Sequence, residues 1–540
     1  VAREWAVSDA FLYNLMTMNL AVMFTVPFLA ALAFFPRGSL ALAVLIAGLF
    51  CCAEAAVYAF LASSMPRSGG DYVFQSRLIS PAVGTVFAFT AVVLGGALWM
   101  AIAGWFAAWV AVGPLLWVLG NLLGSPALLE ASAFVQSGPG VMVMCVAVIV
   151  WSGLVTVWGL RVYAWLQRIG WVVGGVALLT LVIVAAALGL DAVGEGAPYR
   201  AAADTAAALG FRADGGPGAV AATLGLVPVA AFSLIYPAWS VQQAGEIRRA
   251  DSLRAQTVVI VGAEAVAAVL AAVVFAVLLA VVDREALAAA AWLFFAAPHA
   301  MPEPTLPFFW FLDGGLWPSG VVVLCLCLLF NAWFWMWVPD ITLAASRVLA
   351  TMSSDRSLPR WLGKARGRRR TPLLAVFFFS CVCLVPGALF AFTDAWRLTL
   401  SVTLVNVLAF AVTCGAAAAL PFADRELYRE STAARFELLR VPLLTWCGGA
   451  FVLFTLFLVW RFAVDDALAL GLPRWVLLSF VAGVYVVSLL VSQVVRRSRR
   501  GREGLELEVV YRPLADERPP GPRGASTPRR PSAPRRPPAC

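Results

Sequence analysis

Leu40 to Ser63 reads LALAVLIAGLFCCAEAAVYAFLAS, with Glu54 as its only charged side chain. About 20 apolar residues, at 1.5 Å of helical rise each, cross the roughly 30 Å of hydrocarbon in a bilayer. The pattern returns at Val141 to Leu160, Val258 to Val281 and Trp475 to Val491. Each of these runs reads as a membrane span.

The composition extends that reading to the whole chain. Hydrophobic residues make up 62% of 540 and charged residues 13%, with 35 Phe and 21 Trp, more apolar surface than a soluble domain can hide. Roughly twelve runs approach spanning length: 11–35, 39–64, 83–118, 138–160, 169–190, 217–240, 257–282, 317–342, 372–391, 398–420, 442–461 and 474–495. The expected fold class is an all-α integral membrane protein of about twelve transmembrane helices. The third run is too long for one vertical helix, so it is expected to tilt or to continue along the interface beyond Gly113. The first follows only ten residues and holds Asn14, Thr17 and Asn19, which does not fit a cleavable signal.

Basic residues next to spans stay on the cytoplasmic side. With an N-terminus inside, 32 of the 39 basic residues fall in cytoplasmic segments, leaving only Arg37, Arg200, Arg212, Arg284, Arg397, Arg461 and Arg474 outside. Both termini are therefore predicted to be cytoplasmic, in a cell membrane. The net charge of +9 comes largely from these inner loops and from residues 496–540, which carry twelve Arg among many Pro. Such a tail cannot build a core and reads as a disordered arm near anionic lipid. No nucleic-acid partner follows from it.

Several classes of chemistry are disfavoured. The ten cysteines lie mostly within apolar runs, and the single histidine, His299, sits in an outer loop beside Pro298. A zinc site or a His-based catalytic triad is not expected, nor is any cofactor. No segment resembles a phosphate loop or dinucleotide fingerprint, so the chain does not read as an enzyme.

What remains informative is where polarity or proline interrupts a span, because backbone that leaves the helix inside hydrocarbon must be buried in protein or line a cavity. The first run carries Asn14, Thr17, Met18 and Asn19; the sixth carries Ser233, Tyr236, Pro237, Trp239 and Ser240. Pro237 lacks an amide hydrogen and clashes with the carbonyl of Ser233, so the helix is expected to open there. These nine residues are the candidate solute-binding set. A packed proline kink and ordinary interhelical hydrogen bonds are the competing readings.

Three segments carry a family resemblance. Met65 to Arg77, MPRSGGDYVFQSR, resembles the Pro-x-Ser-Gly-Gly-x-Tyr loop that follows the second helix in the amino acid, polyamine and organocation permease superfamily. Ser233 to Arg249, SLIYPAWSVQQAGEIRR, is similar to the end of that family's sixth helix, and Ser346 to Pro372 to the segment joining its eighth and ninth. The resemblance covers about residues 3–495 and implies five-plus-five inverted repeats, here near 10–190 and 217–420, with two further helices near 442–461 and 474–495. It further implies a secondary active transporter that moves an amino acid or related organic amine by alternating access, with unwound points near Thr17 to Asn19 and Ile235 to Trp239. A transporter-derived sensor or structural membrane subunit is the alternative.

The chain departs from the family pattern in two places. Residues 10–35 hold no Gly where the family's first break is Gly-rich, so Met16, Met18, Tyr236 and Trp239 are read as shaping a bulky pocket suited to a cation. Gly174 stands where some relatives place a lysine in the fifth helix. Coupling to protons or to sodium both stay open. Glu54, Glu264 and Asp340 lie at or near membrane depth and are coupling or gating candidates because burying a charge is costly. Asp71 and Glu246, in the inner loops, are candidates for a polar latch.

Overall fold

The computed structural model describes residues 4–188, 197–213, 217–281, 283–303, 306–307, 320–364 and 371–503. Among these residues the protein is all-α apart from one short hairpin, and eleven helices are long and apolar enough to cross a membrane. The predicted tail from residue 496 changes at its start, because the last helix continues through Arg496 to Glu503; residues 504–540 lie outside the described residues.

The count is eleven rather than twelve because the first apolar run is not one helix. It divides into α1 (Val7–Thr17), α2 (Leu20–Met23) and α3 (Val26–Phe34). Asn19 causes the first division: its backbone is left-handed (φ 42°, ψ 65°), a conformation Asn tolerates better than most side chains, and its Oδ1 caps α2 by accepting from the Val22 amide at 3.2 Å. Thr25 (φ −116°, ψ −101°) makes the second.

The remaining elements follow in order: α4 (Leu40–Ser64), α5 (Gly70–Leu78), α6 (Pro81–Leu123), α7 (Pro126–Gln136), α8 (Gly138–Trp158), α9 (Leu160–Leu188) and α10 (Ala197–Ala208). Then come α11 (Ala219–Leu234), α12 (Leu253–Ala280), α13 (Arg284–Ala296), α14 (Leu324–Ser354), α15 (Leu373–Phe392), α16 (Asp394–Ala423) and α17 (Arg425–Glu430). The hairpin β1 (Glu437–Leu438) and β2 (Val441–Pro442) precedes α18 (Leu443–Val464) and α19 (Arg474–Glu503). The 43 residues of α6 amount to about 64 Å of helix, twice the hydrocarbon thickness, as the long third run suggests.

Burial separates centre from periphery. In the most apolar stretch of α6, 89% is buried, against 22% in α19. Leu49, Phe377, Val385 and Leu453 stand exposed on the outer helices, where lipid rather than water covers them. Helix α4 packs between α11, α12 and α18, and α14 is interrupted by a turn at Val338, after which Pro339 opens its second part. Asp340 lies fully buried in the first turn of that second part.

Two faces can be named by their contents. The loop face carries Met65–Gly69 and α5, and the opposite face carries α10 and α13, with α13 packed on α3.

Candidate functional site

The two irregular points of the chain meet at the centre. Helix α11 stops at Leu234, residues 235–238 are irregular, and a tight 3₁₀ segment, Trp239–Glu246, continues toward the loop face. The stop coincides with Pro237, which cannot donate to the helix and crowds the Ser233 carbonyl. Asn14, in the last turn of α1, joins both breaks: its Oδ1 accepts from the Ser240 amide at 2.7 Å and its Nδ2 donates to the Val259 carbonyl of α12 at 2.9 Å. This amide captures backbone groups that the broken helix leaves over.

Tyr236 stands in the second break. Its hydroxyl accepts from Trp99 Nε1 and from Asn406 Nδ2, each at 2.7 Å. Trp99 lies 4.7 Å from Phe232 and 6.1 Å from Trp337, ring centre to ring centre, and Tyr236 meets Trp239 edge-on at 5.8 Å. On the two interrupted segments and on Trp337 and Asn406, several buried polar atoms have no hydrogen-bond partner: Asn19 Nδ2, Ser233 Oγ, Trp239 Nε1, Ser240 Oγ, Trp337 Nε1 and Asn406 Oδ1. Each such atom costs free energy unless something bonds it.

Other predicted residues are placed differently. Thr17 donates to the Tyr13 carbonyl at 2.9 Å and faces Asp340, whose two carboxyl oxygens lack hydrogen-bond partners. Met18 is fully buried. Met16 turns away from the sixth-segment break, its Sδ accepting from Trp333 Nε1 at 3.4 Å. The Trp333 ring occupies the space beside Gly174 that any side chain there would need. Glu54 and Glu264 lie on α4 and α12, both buried, and no hydrogen bond ties them to Tyr236 or Asn14.

The loop face is closed by several bonds. Asp71 accepts from Tyr58 of α4, from Thr413 of α16 at 2.7 Å and from Gln242 at 3.3 Å. Burial pushes the Asp71 carboxyl above its ordinary range, although all three donors oppose the shift. Gly69 and Gly70 have φ of +112° and +40°, and a β-carbon on Gly70 would lie 2.6 Å from Gln242 Oε1, so the glycine pair is what lets the loop lie on the 3₁₀ segment. Glu246, at the end of that segment, receives Arg347 of α14 at 2.7 and 3.3 Å. The Trp5 amide donates to the Glu246 carbonyl at 3.1 Å. On the opposite face Trp105 stacks on Trp396 at 5.2 Å and 10°, and Phe294 of α13 leans on the same ring.

Trp99, Phe232, Gln242, Trp337 and Asn406 were not among the residues anticipated from sequence. The lone amide of Asn406 within the tenth apolar run is the one signal that pointed to any of them.

A bundle of membrane-crossing helices with two interrupted segments joined through Asn14 makes this a polytopic membrane protein. The sequence pattern described as amino acid permease matches residues 10–484, and the chain belongs to that family. No curated protein matches it. Members of the family are transporters, not enzymes, and among the described residues no group of His, Cys, Asp or Glu is placed to hold a metal ion.

Proposed function

We propose that the protein is a secondary active transporter that carries an amino acid or related organic amine across the cell membrane by alternating access. In this reading the chain is two inverted repeats of five spans each, near 10–190 and 217–420, with the broken α1–α3 run counted as the first span and α18 and α19 as the two extra helices. The loop face is cytoplasmic, from the basic-residue bias. The observation that carries the proposal is the meeting of the two breaks through Asn14, surrounded by buried polar atoms that await a partner.

The chemistry of those atoms fits a zwitterion or amine. Asn19 Nδ2 and the indole nitrogens of Trp239 and Trp337 are donors only and suit a carboxylate or carbonyl, while Asn406 Oδ1 accepts and the faces of Tyr236 and Trp239 attract a cation. Ser233 and Ser240 can do either, and Thr17, Met18 and Pro237 shape the walls. Asp71 and Glu246 hold the inner gate, and Asp340, facing Thr17, is a further coupling candidate.

Counterflow in proteoliposomes across amino acids, polyamines and simple amines tests the transport reading; its absence with every compound rejects it. Tyr236→Phe leaves the Trp99 and Asn406 donors without an acceptor and is expected to cost about 1–3 kcal/mol of stability per donor. Solute affinity should drop about tenfold, or 1.4 kcal/mol. Unchanged affinity in that variant removes Tyr236 from the binding set.

A further inference from the structure

Glu264 is fully buried in the first turns of the membrane-crossing part of α12, and neither of its carboxyl oxygens has a hydrogen-bond partner. It lies against α4, where a β-carbon on Gly48 would come 3.8 Å from its Oε1. Glu54, buried on the same helix with its Oε2 unpartnered, interacts electrostatically with it. The other titratable groups facing the two are Cys51 and Cys52 beside them on α4, Tyr58 one turn on, Asp71 of α5, Cys414 of α16 and Tyr236. None of these is basic. A carboxylate there has no basic neighbour among these groups to offset its burial, so losing a proton is costly and favours the acid form.

Tyr58 continues the line toward the loop face. It donates to Asp71, and Asp71 in turn receives Gln242 of the 3₁₀ segment. These three residues form a hydrogen-bonded chain from α4 to the 3₁₀ segment, with Glu54 one turn from Tyr58.

We propose, building on the transporter reading above, that Glu54 and Glu264 hold the coupling proton of this carrier and that Tyr58, Asp71 and Gln242 tie its presence to the gate. One carboxylic acid of the pair releases H⁺ to water on the loop face and becomes a carboxylate; no other bond changes. The new negative charge faces Asp71 and repels its carboxylate, which shifts and so weakens its hold on Gln242. Once the gate has closed again, a proton from the opposite face restores the acid.

The test uses the full chain in proteoliposomes with a pH-sensitive dye inside. The unmodified protein is expected to move protons when solute is added. Glu54→Gln and Glu264→Gln mimic the protonated acids; they should still exchange solute while accumulation driven by a pH gradient drops about tenfold or more. Flux that survives in the double Gln variant, or that only Asp340→Asn removes, overturns the assignment. If the Gln variants do not assemble, Tyr58→Phe, which breaks only the link, is expected to raise proton leak without solute; an unaltered ratio of protons to solute in that variant also overturns it. Counterflow without proton flux in the unmodified protein rejects the proton site alone, whereas no counterflow with any compound rejects it together with the transport reading.

Discussion

Asp71 accepts from side chains on two spans and on the 3₁₀ segment, and is itself almost fully buried. Because burial outweighs its donors, its carboxyl titrates higher in the folded protein than in the unfolded chain. The sign is then fixed: this group's contribution to stability is complete below its unfolded value of about 4 and is lost as pH rises through the folded value. Thermal melting in detergent should contain a component that declines on alkalinisation and that Asp71→Asn removes. Parallel melting curves against pH for the two proteins would contradict this. The polar character of Asp71 was visible in the loop motif, but its partners were not: Gln242 and Thr413 are 171 and 342 residues away. Tyr236 shows the same limit, since Trp99 and Asn406 reach it from 137 and 170 positions off. Local residue type says that a group needs a partner, not where the fold will supply one.

At the scale of elements, prolines mark the limits of local reading. Pro228, Pro386 and Pro421 sit inside helices that continue past them, while Pro237 stands at a true interruption. The same ring clash operates at all four, so neighbours decide whether the backbone is re-bonded. At Pro237 the following amide at Ser240 goes to Asn14 instead. The first break was legible from its cluster of polar residues, and Asn19 supplies in this chain the left-handed turn for which a glycine is the usual choice. The Glu246–Arg347 pair belongs to this scale because it joins two elements, with side chains only 12% and 11% exposed. Glu246→Gln should cost about 3 kcal/mol by leaving a nearly buried guanidinium unpaired. It should also speed labelling of a Ser240→Cys reporter from the loop face. No change in either measurement would remove the pair from the gate.

Over the whole molecule the spans were the most legible feature, because hydrocarbon thickness imposes a run length that no soluble packing requires. Among the described residues eleven of the predicted runs correspond to helical spans; the first divides into three helices, and the sixth is interrupted after Leu234. The small hairpin and the continuation of α14 beyond Pro339 carried no comparable signature. Sidedness rests on charge alone. Protease-cleavable tags added at each end should be cut only from the cytoplasmic side of oriented vesicles, and cleavage of either from outside would reverse the topology argued from the Lys and Arg bias.

The two closures are made of unlike materials, an ion pair with buried carboxylate bonds on one face and stacked indoles on the other. Substitution can therefore weaken one without touching its counterpart. In the proposed carrier that independence makes rectification adjustable: the balance of influx over efflux can be shifted by editing a single rim.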